Sequence, residues 1–190
     1  MESGRPSPLG GCSICCCRRN KILSQLRFRD GCSGTLTGGN ASELTDGAAA
    51  IWGGSDVGLA RLLDETPKAR LLDYETSAVD AMTDGLLMAP AFAVPRLFQR
   101  NGIRFEDVQV WEIHEAFAAQ VTFHIKAWTS QEFLNKAGVT ADLGMFPRQR
   151  VNLQGGSLAL GHPFGATGAR IMSQITHFMA VPSVCLIALT

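Results

Sequence analysis

The sequence lacks an excess of either charge. Its 190 residues include 17 Lys and Arg against 17 Asp and Glu, so the formal net charge is zero with histidine neutral. Domains that attract nucleic acid or anionic lipid electrostatically carry a basic excess. The balance gives nucleic-acid binding little support, and we expect no nucleic-acid partner.

Long apolar runs are also missing. The longest, from Val181 to Leu189, is interrupted by Pro182 and Ser183. A membrane helix needs about 20 predominantly apolar residues. We therefore expect no integral membrane span and a soluble protein.

Cysteine is nearly absent after residue 32, where only Cys185 remains. The other cysteines are Cys12, Cys15, Cys16, Cys17 and Cys32. No disulfide framework can span the chain, which suits a reducing compartment. The cysteine run has no histidine nearby and no second cysteine pair, so no metal site is predicted.

The motifs of nucleotide cofactors and zinc proteases are incomplete. No Gly-x-Gly-x-x-Gly stands between a strand and a helix, and no Gly-Lys-Ser/Thr occurs. A zinc protease needs a second histidine where Ala118 follows His114, and His124 falls on a different helical face. We expect no cofactor and no resident metal.

Residues 1 to about 30 differ from the rest because proline and glycine punctuate them and no apolar period persists. Before Asp30 their only acid is Glu2. Their basic residues are Arg5, Arg18, Arg19, Lys21, Arg27 and Arg29. This pattern is loosely like a mitochondrial transit peptide, and it predicts a mitochondrial location with a cytoplasmic one as the alternative. For the segment itself, we favour a disordered leader over a transit peptide.

Apolar periodicity predicts strands alternating with helices, which is typical of an α/β layered domain. The predicted strands are Ala48 to Trp52, Ala69 to Tyr74, Val108 to Ile113, a further strand at Leu158, and Val184 to Leu189. The predicted helices run from the Ser55 cap to Leu63, from Pro90 to the Asn101-Gly102 cap, from Glu115 to Trp128, and from Ala166 to Phe178. Between Trp128 and Val151 we expect an irregular polar stretch.

Two histidines stand where helices begin, His114 after an apolar run and His162 among glycines. We expect both on turns at the carboxyl ends of strands, where open α/β sheets build their sites. A helix N-terminus beside His162 would lower its pKa, and the neutral imidazole could then accept a proton from a thiol. The alternative for His162 is a buried structural histidine.

Three segments together resemble the second half of the thiolases, a family of acyl-CoA acyltransferases. They are Gly39 to Ala50, His114-Glu115-Ala116-Phe117, and Gly155 to Arg170. The similarity runs from about Phe28 to Phe178, and histidine before Glu-Ala-Phe resembles the branch of the trifunctional-enzyme β subunit. The resemblance implies an incomplete α/β thiolase-like layered fold, mainly the carboxyl-terminal half, with a mixed sheet flanked by helices. It divides the chain into an extension (1–31), the end of the amino-terminal half (32–66) and a truncated carboxyl-terminal domain (67–190).

The resemblance also implies site roles, with coenzyme A as a substrate. His162 would activate the nucleophilic cysteine and bind the thioester oxygen, and His114 would add a second oxyanion donor. Ser42, Ala116 and Phe117 would line the pantetheine arm, although a turn serine and a packed apolar pair are the structural alternatives. Glu115 could be a carboxylate that supports the neighbouring His114, but an acid in the first turn of a helix also stabilises the helix dipole, and we favour that structural interpretation.

The cysteines of thiolase chemistry are not found in their expected contexts. Cys32 lies in a segment that resembles a part of the thiolases downstream of their nucleophile. Cys185 falls inside a predicted strand and is not followed by glycines. A covalent mechanism without its nucleophile should not turn over. We expect an acyltransferase fragment that is inactive alone and that associates with itself or with another thiolase chain. The alternative is a non-catalytic module that binds acyl-CoA or pairs with a thiolase; chain-length preference and reaction direction stay open.

Overall fold

The structure is a computed structural model that describes residues 36–61, residues 68–178 and the backbone of residues 185–188. The predicted extension and Cys32 lie outside these residues. In chain order the elements are α1 (Asp56–Leu59), α2 (Ala89–Asn101), β1 (Val110–Ile113), α3 (Ala118–Trp128), α4 (Gln131–Lys136), α5 (Ser157–Leu160), α6 (Thr167–Phe178) and β2 (Cys185–Ala188), with 3-10 turns at Phe105–Asp107 and Arg148–Arg150.

The sheet of the described residues contains two parallel strands. β1 pairs with β2 from Val110 opposite Cys185 to Ile113 opposite Ala188, which confirms strands predicted at both places. All four residues of β1 are buried. Parallel strands are commonly covered on both faces, and in this structure helices pack on both faces of β1.

The core lies on one face of β1, where α2, α3 and α4 pack. Trp111 is fully buried, and its ring centroid lies 4.6 Å from that of Phe146 and 5.5 Å from that of Phe98. Glu112 faces the other way, and its charge interacts with Arg170 of α6, which packs against β1. This layered arrangement fixes where the chain leaves β1, immediately before His114.

Two predicted strands do not form. Residues 48–52 and 69–74 are without regular structure, and the Trp52 side chain is 99% exposed. A strand needs a neighbour for its backbone hydrogen bonds, and no described segment pairs with either stretch. An apolar run in the sequence does not show whether a pairing strand will lie beside it.

The helices agree better with the sequence. The Ser55 side chain caps α1, which ends at Leu59 before the undescribed residues 62–67. Pro90 lies in the first turn of α2, and Gly102, at a φ of 63°, ends that helix as predicted. The sequence missed α4, whose amino end is capped by the Ser130 side chain accepting the backbone N–H of Phe133.

Two boundaries were wrong near the histidines. α3 begins at Ala118 rather than Glu115, because Phe117 is extended and its N–H donates to the side chain of Gln120. Leu158 belongs to the short helix α5 and not to a strand. His162 therefore does not follow a strand. No helix among the described residues is long and apolar enough to cross a membrane.

Candidate functional site

The rings of His114 and His162 lie together. Their centroids are 4.1 Å apart, with an angle of 40° between the ring planes. His114 follows the carboxyl end of β1, and His162 lies in the loop between α5 and α6. The expected convergence occurs, although only one of the two loops follows a strand.

His114 is buried, with 4% of its surface exposed. Its Nδ1 is 2.8 Å from the Oγ of Ser157, and its carbonyl accepts the Gln120 side-chain amide at 3.3 Å. Burial, followed by electrostatic repulsion from His162 and Arg170, lowers the pKa of His114 to about 4. The ring is therefore neutral near pH 7.

His162 is held by two contacts of its own. Its backbone N–H donates to the carbonyl of Glu43 at 2.7 Å, and its Nδ1 is 2.6 Å from the Oγ1 of Thr167. Burial and then Arg170 lower the pKa of His162. From the sequence we predicted a neutral His162 ring, with its pKa lowered by a helix terminus. In the structure, burial and the nearby guanidinium are the causes of the lowered pKa.

One extended segment connects the two histidine loops. The Ser42 N–H donates to the carbonyl of Ala116 at 2.9 Å, Ala41 forms an antiparallel bridge with Phe117, and Leu44 forms a parallel bridge with His162. Ser42, Ala116 and Phe117 are all half-buried. The structure thus places these three residues beside each other, while their contact with pantetheine stays a prediction.

An open recess of about 290 Å³ lies beside His162. It is lined by Leu44, Thr45, Asp46, Gly47, His162, Pro163 and Phe164. The Phe164 ring is 74% exposed and lies edge-on to His162, with centroids 4.8 Å apart. A ligand in this recess would reach His162 first, with the buried His114 ring behind it.

Glu115 positions the loop that carries His162. Its carboxylate accepts the backbone N–H of Leu158 at 3.1 Å, in the first turn of α5. Burial raises its pKa, and hydrogen bonds from Asn152 and Leu158 oppose that rise. Glu115 lies outside α3, so its interpretation as an acid in the first turn of its own helix was wrong, and its carboxylate lies at the first turn of α5 instead.

Asn152 was missed from the sequence, although it anchors the first histidine loop. Its side chain accepts the N–H of Ile113 at 2.8 Å and donates to the carbonyl of Ile113 at 3.0 Å. It therefore acts as a strand neighbour for the residue just before His114. The only sequence feature near Asn152 is the pair Gly155-Gly156, and closeness to two glycines does not predict that its side chain bonds to Ile113.

Glu112 is an unusual component of β1. It is fully buried, and neither carboxylate oxygen has a hydrogen-bond partner among the described residues. Burial raises its pKa to about 7, while Arg170 lowers it and Glu115 raises it. The carboxyl group is thus protonated far more often than an exposed glutamate at neutral pH.

We expect Glu112→Gln to remove a pH dependence of stability. Because the folded pKa is raised from 4.5 to about 7, the native state binds more protons, and stability falls as pH rises between those values. The contribution of this group falls by about 2–3 kcal/mol from pH 5 to pH 8. Urea denaturation at both pH values should show the variant gaining stability relative to wild type at pH 8.

The control for that measurement is Glu132→Gln, which changes an exposed carboxylate in the first turn of α4. It should leave the pH dependence of the wild type in place. An equal change in both variants would contradict the assignment to Glu112. The lowered histidine pKa values act in the opposite direction, since their stabilisation is lost as pH falls below about 6.5.

The described part of the chain contains no group of three His, Cys, Asp or Glu residues that could hold a metal ion. His124 is fully buried in α3, and its Nε2 lies 2.9 Å from the carbonyl of Leu87. It is a core histidine.

Residues 65–188 match the family model described as "Thiolase, C-terminal domain". A protein of Caenorhabditis elegans named "Probable 3-ketoacyl-CoA thiolase" is 44% identical over 146 residues, covering 76% of this chain and 32% of that protein. The 3-ketoacyl-CoA thiolase of Shewanella amazonensis is 41% identical over 143 residues, covering 75% of this chain and 32% of its own. The chain belongs to the thiolase family.

Solved structures agree with that assignment. A thiolase from Ascaris suum in complex with coenzyme A superposes with a TM-score of 0.61 at 31% identity, covering 88% of this chain and 39% of that one. The dimeric peroxisomal thiolase of Saccharomyces cerevisiae has a TM-score of 0.61 at 27% identity, with 88% and 38% coverage. The α/β thiolase-like layered fold is confirmed. The chain spans about a third of the length of the curated relatives it matches.

Proposed function

We propose that the chain supplies the histidine half of a 3-ketoacyl-CoA thiolase site, with acyl-CoA and coenzyme A as substrates. The observation that carries the proposal is the 4.1 Å separation of the His114 and His162 rings, on two loops that the segment from Ala41 to Leu44 connects. Two neutral imidazoles this close can address the carbonyl oxygen of a thioester and the proton of the thiol that attacks it.

The two rings differ in what they can contribute. His162 is half-buried and borders the open recess, so it can accept the proton of a thiol that enters there. His114 is buried behind it, in a position to donate a hydrogen bond to a carbonyl oxygen that acquires negative charge. Ser42, Ala116 and Phe117 would contact the pantetheine arm from the connecting segment.

A second candidate function is a non-catalytic module that binds acyl-CoA or pairs with another thiolase chain. It is favoured by one observation: no cysteine occurs between residues 36 and 178, so the described side chains near the imidazoles include no thiol. Pairing with a chain that carries the thiolase nucleophile would bring one. We also propose a mitochondrial location, and this proposal rests only on the basic amino-terminal segment.

Calorimetric titration of the full chain with coenzyme A tests the shared part of both functions. We expect measurable binding heat for the wild type, and weaker binding for Phe164→Ala, which removes an exposed ring from the recess. Phe123→Ala is the matched control, because Phe123 is also exposed but lies on α3, outside the recess. Absence of heat at millimolar coenzyme A would remove acyl-CoA binding.

Assay with 3-ketoacyl-CoA and coenzyme A separates the two candidates. We expect no turnover by this chain alone, and turnover when a polypeptide that supplies the missing thiolase cysteines is added. Loss of that turnover in His162→Ala would support the catalytic role. Turnover unaffected by His162→Ala would contradict it.

A further inference from the structure

Each histidine of the pair has its Nδ1 against a hydroxyl group. His114 contacts the Oγ of Ser157 at 2.8 Å, and His162 contacts the Oγ1 of Thr167 at 2.6 Å. A hydroxyl has one proton to donate and lone pairs to accept with. Which tautomer each neutral ring adopts therefore depends on the second neighbour of its hydroxyl.

The second neighbour of Ser157 is a donor. Nη2 of Arg170 lies 3.3 Å from the serine Oγ, and a guanidinium only donates. The serine oxygen accepts that bond, and its own proton remains for Nδ1 of His114. If Nδ1 carried the proton instead, the O–H of this fully buried serine would have no acceptor among these contacts, which is costly.

The second neighbour of Thr167 is an acceptor. Its hydroxyl lies 3.4 Å from the carbonyl oxygen of Pro163, to which it can donate. Nδ1 of His162 can then carry a proton and donate it to the threonine oxygen. Because the Pro163 carbonyl also accepts the Ala166 N–H at 3.1 Å, these contacts permit that tautomer without enforcing it. The flanking groups of the two hydroxyls are thus opposite in character.

We propose that Ser157 and Arg170 are positioning residues that hold His114 with its proton on Nε2, while the Thr167 hydroxyl leaves His162 able to carry its proton on Nδ1. The inference rests on the proposed function for its consequence: Nε2 of His114 becomes a hydrogen-bond donor to a thioester oxygen, and Nε2 of His162 keeps the lone pair that a base needs. Both rings being neutral near pH 7 is consistent with fixed tautomers.

Long-range ¹H–¹⁵N correlation of the histidine-labelled full chain near pH 7 reads the tautomer of each ring directly. The chain has four histidines, so each ring is assigned by its own single substitution. We expect a preference of about tenfold or more for the Nε2–H form of His114, because the Nδ1–H form leaves the buried Ser157 hydroxyl without an acceptor. Ser157→Ala should reduce that preference to near unity, and Ser157→Thr should restore it.

Two further variants separate tautomer control from structural support. Arg170→Met removes the obligatory donor but keeps the serine, and should weaken the preference at His114 alone; it also tests the inference if Ser157→Ala does not fold. Thr167→Val should change the tautomer of His162 and leave His114 as it is. An Nδ1–H tautomer at His114 in the wild type would overturn the proposal, as would a preference unchanged in both Ser157→Ala and Arg170→Met.

The tautomer measurement needs no ligand, so its failure is distinct from failure of the proposed function. Nε2–H at His114 without any binding of coenzyme A would remove the function and leave the tautomer assignment standing. Binding of coenzyme A by a chain with Nδ1–H at His114 would remove only the assignment.

Discussion

Trp111→Ala is expected to lower the free energy of unfolding by about 3–5 kcal/mol. Trp111 is fully buried in β1 and contacts the rings of Phe98, Phe105, Trp128 and Phe146. Removing its ring takes away both the transfer free energy and the packing of those neighbours. Because Ile113 continues the same face of β1, the position of His114 should loosen as well. Urea denaturation followed by circular dichroism measures the loss.

The matched control is Trp52→Ala, the same chemical change at a side chain that is 99% exposed. It should alter stability by no more than about 0.5 kcal/mol. Equal losses at the two tryptophans would mean that β1 does not form the centre of the core.

Gly156→Val is expected to cost about 3 kcal/mol or more, and to displace the loop that carries His162. A Cβ at this position would lie 2.3 Å from Oε2 of Glu115 and 2.4 Å from Nδ2 of Asn152. Both groups are buried and hydrogen-bonded, so neither can move without losing a bond. Denaturation measures the stability, and the ring signals of His114 and His162 report the displacement.

Gly53→Val provides the comparison, since a Cβ there meets no atom within 4 Å. Its effect should be small and should leave both histidine signals unchanged. If Gly156→Val were as well tolerated as Gly53→Val, that result would contradict the close contact between the two histidine loops.

Local signals predicted the elements whose structure is decided locally. Pro90 and Gly102 bound α2, and the apolar run before His114 gave β1, because caps and strand patterns act over a few residues. Ser130 also caps a helix, but a single serine before a short polar segment is a weak signal. The strand predicted at residues 48–52 failed because pairing is a long-range property that periodicity does not contain.

The site was predictable in its principal residues and not in their supports. His114 and His162 stood out because their motifs resemble the thiolases. Ser157 and Arg170 lie inside the Gly155 to Arg170 segment that resembles the thiolases, but neither they nor Asn152 had a predicted role. Their roles depend on distances across as many as 43 positions of chain, such as the contact between His114 and Ser157, which only folding creates.

The central claim is that His114 and His162 serve one ligand. Adding a 3-ketoacyl-CoA to the histidine-labelled chain should shift the ring signals of both residues with the same concentration dependence. His177, whose ring lies exposed on α6, should not respond. Shifts of only one of the pair, or of neither at saturating ligand, would contradict a shared thioester site.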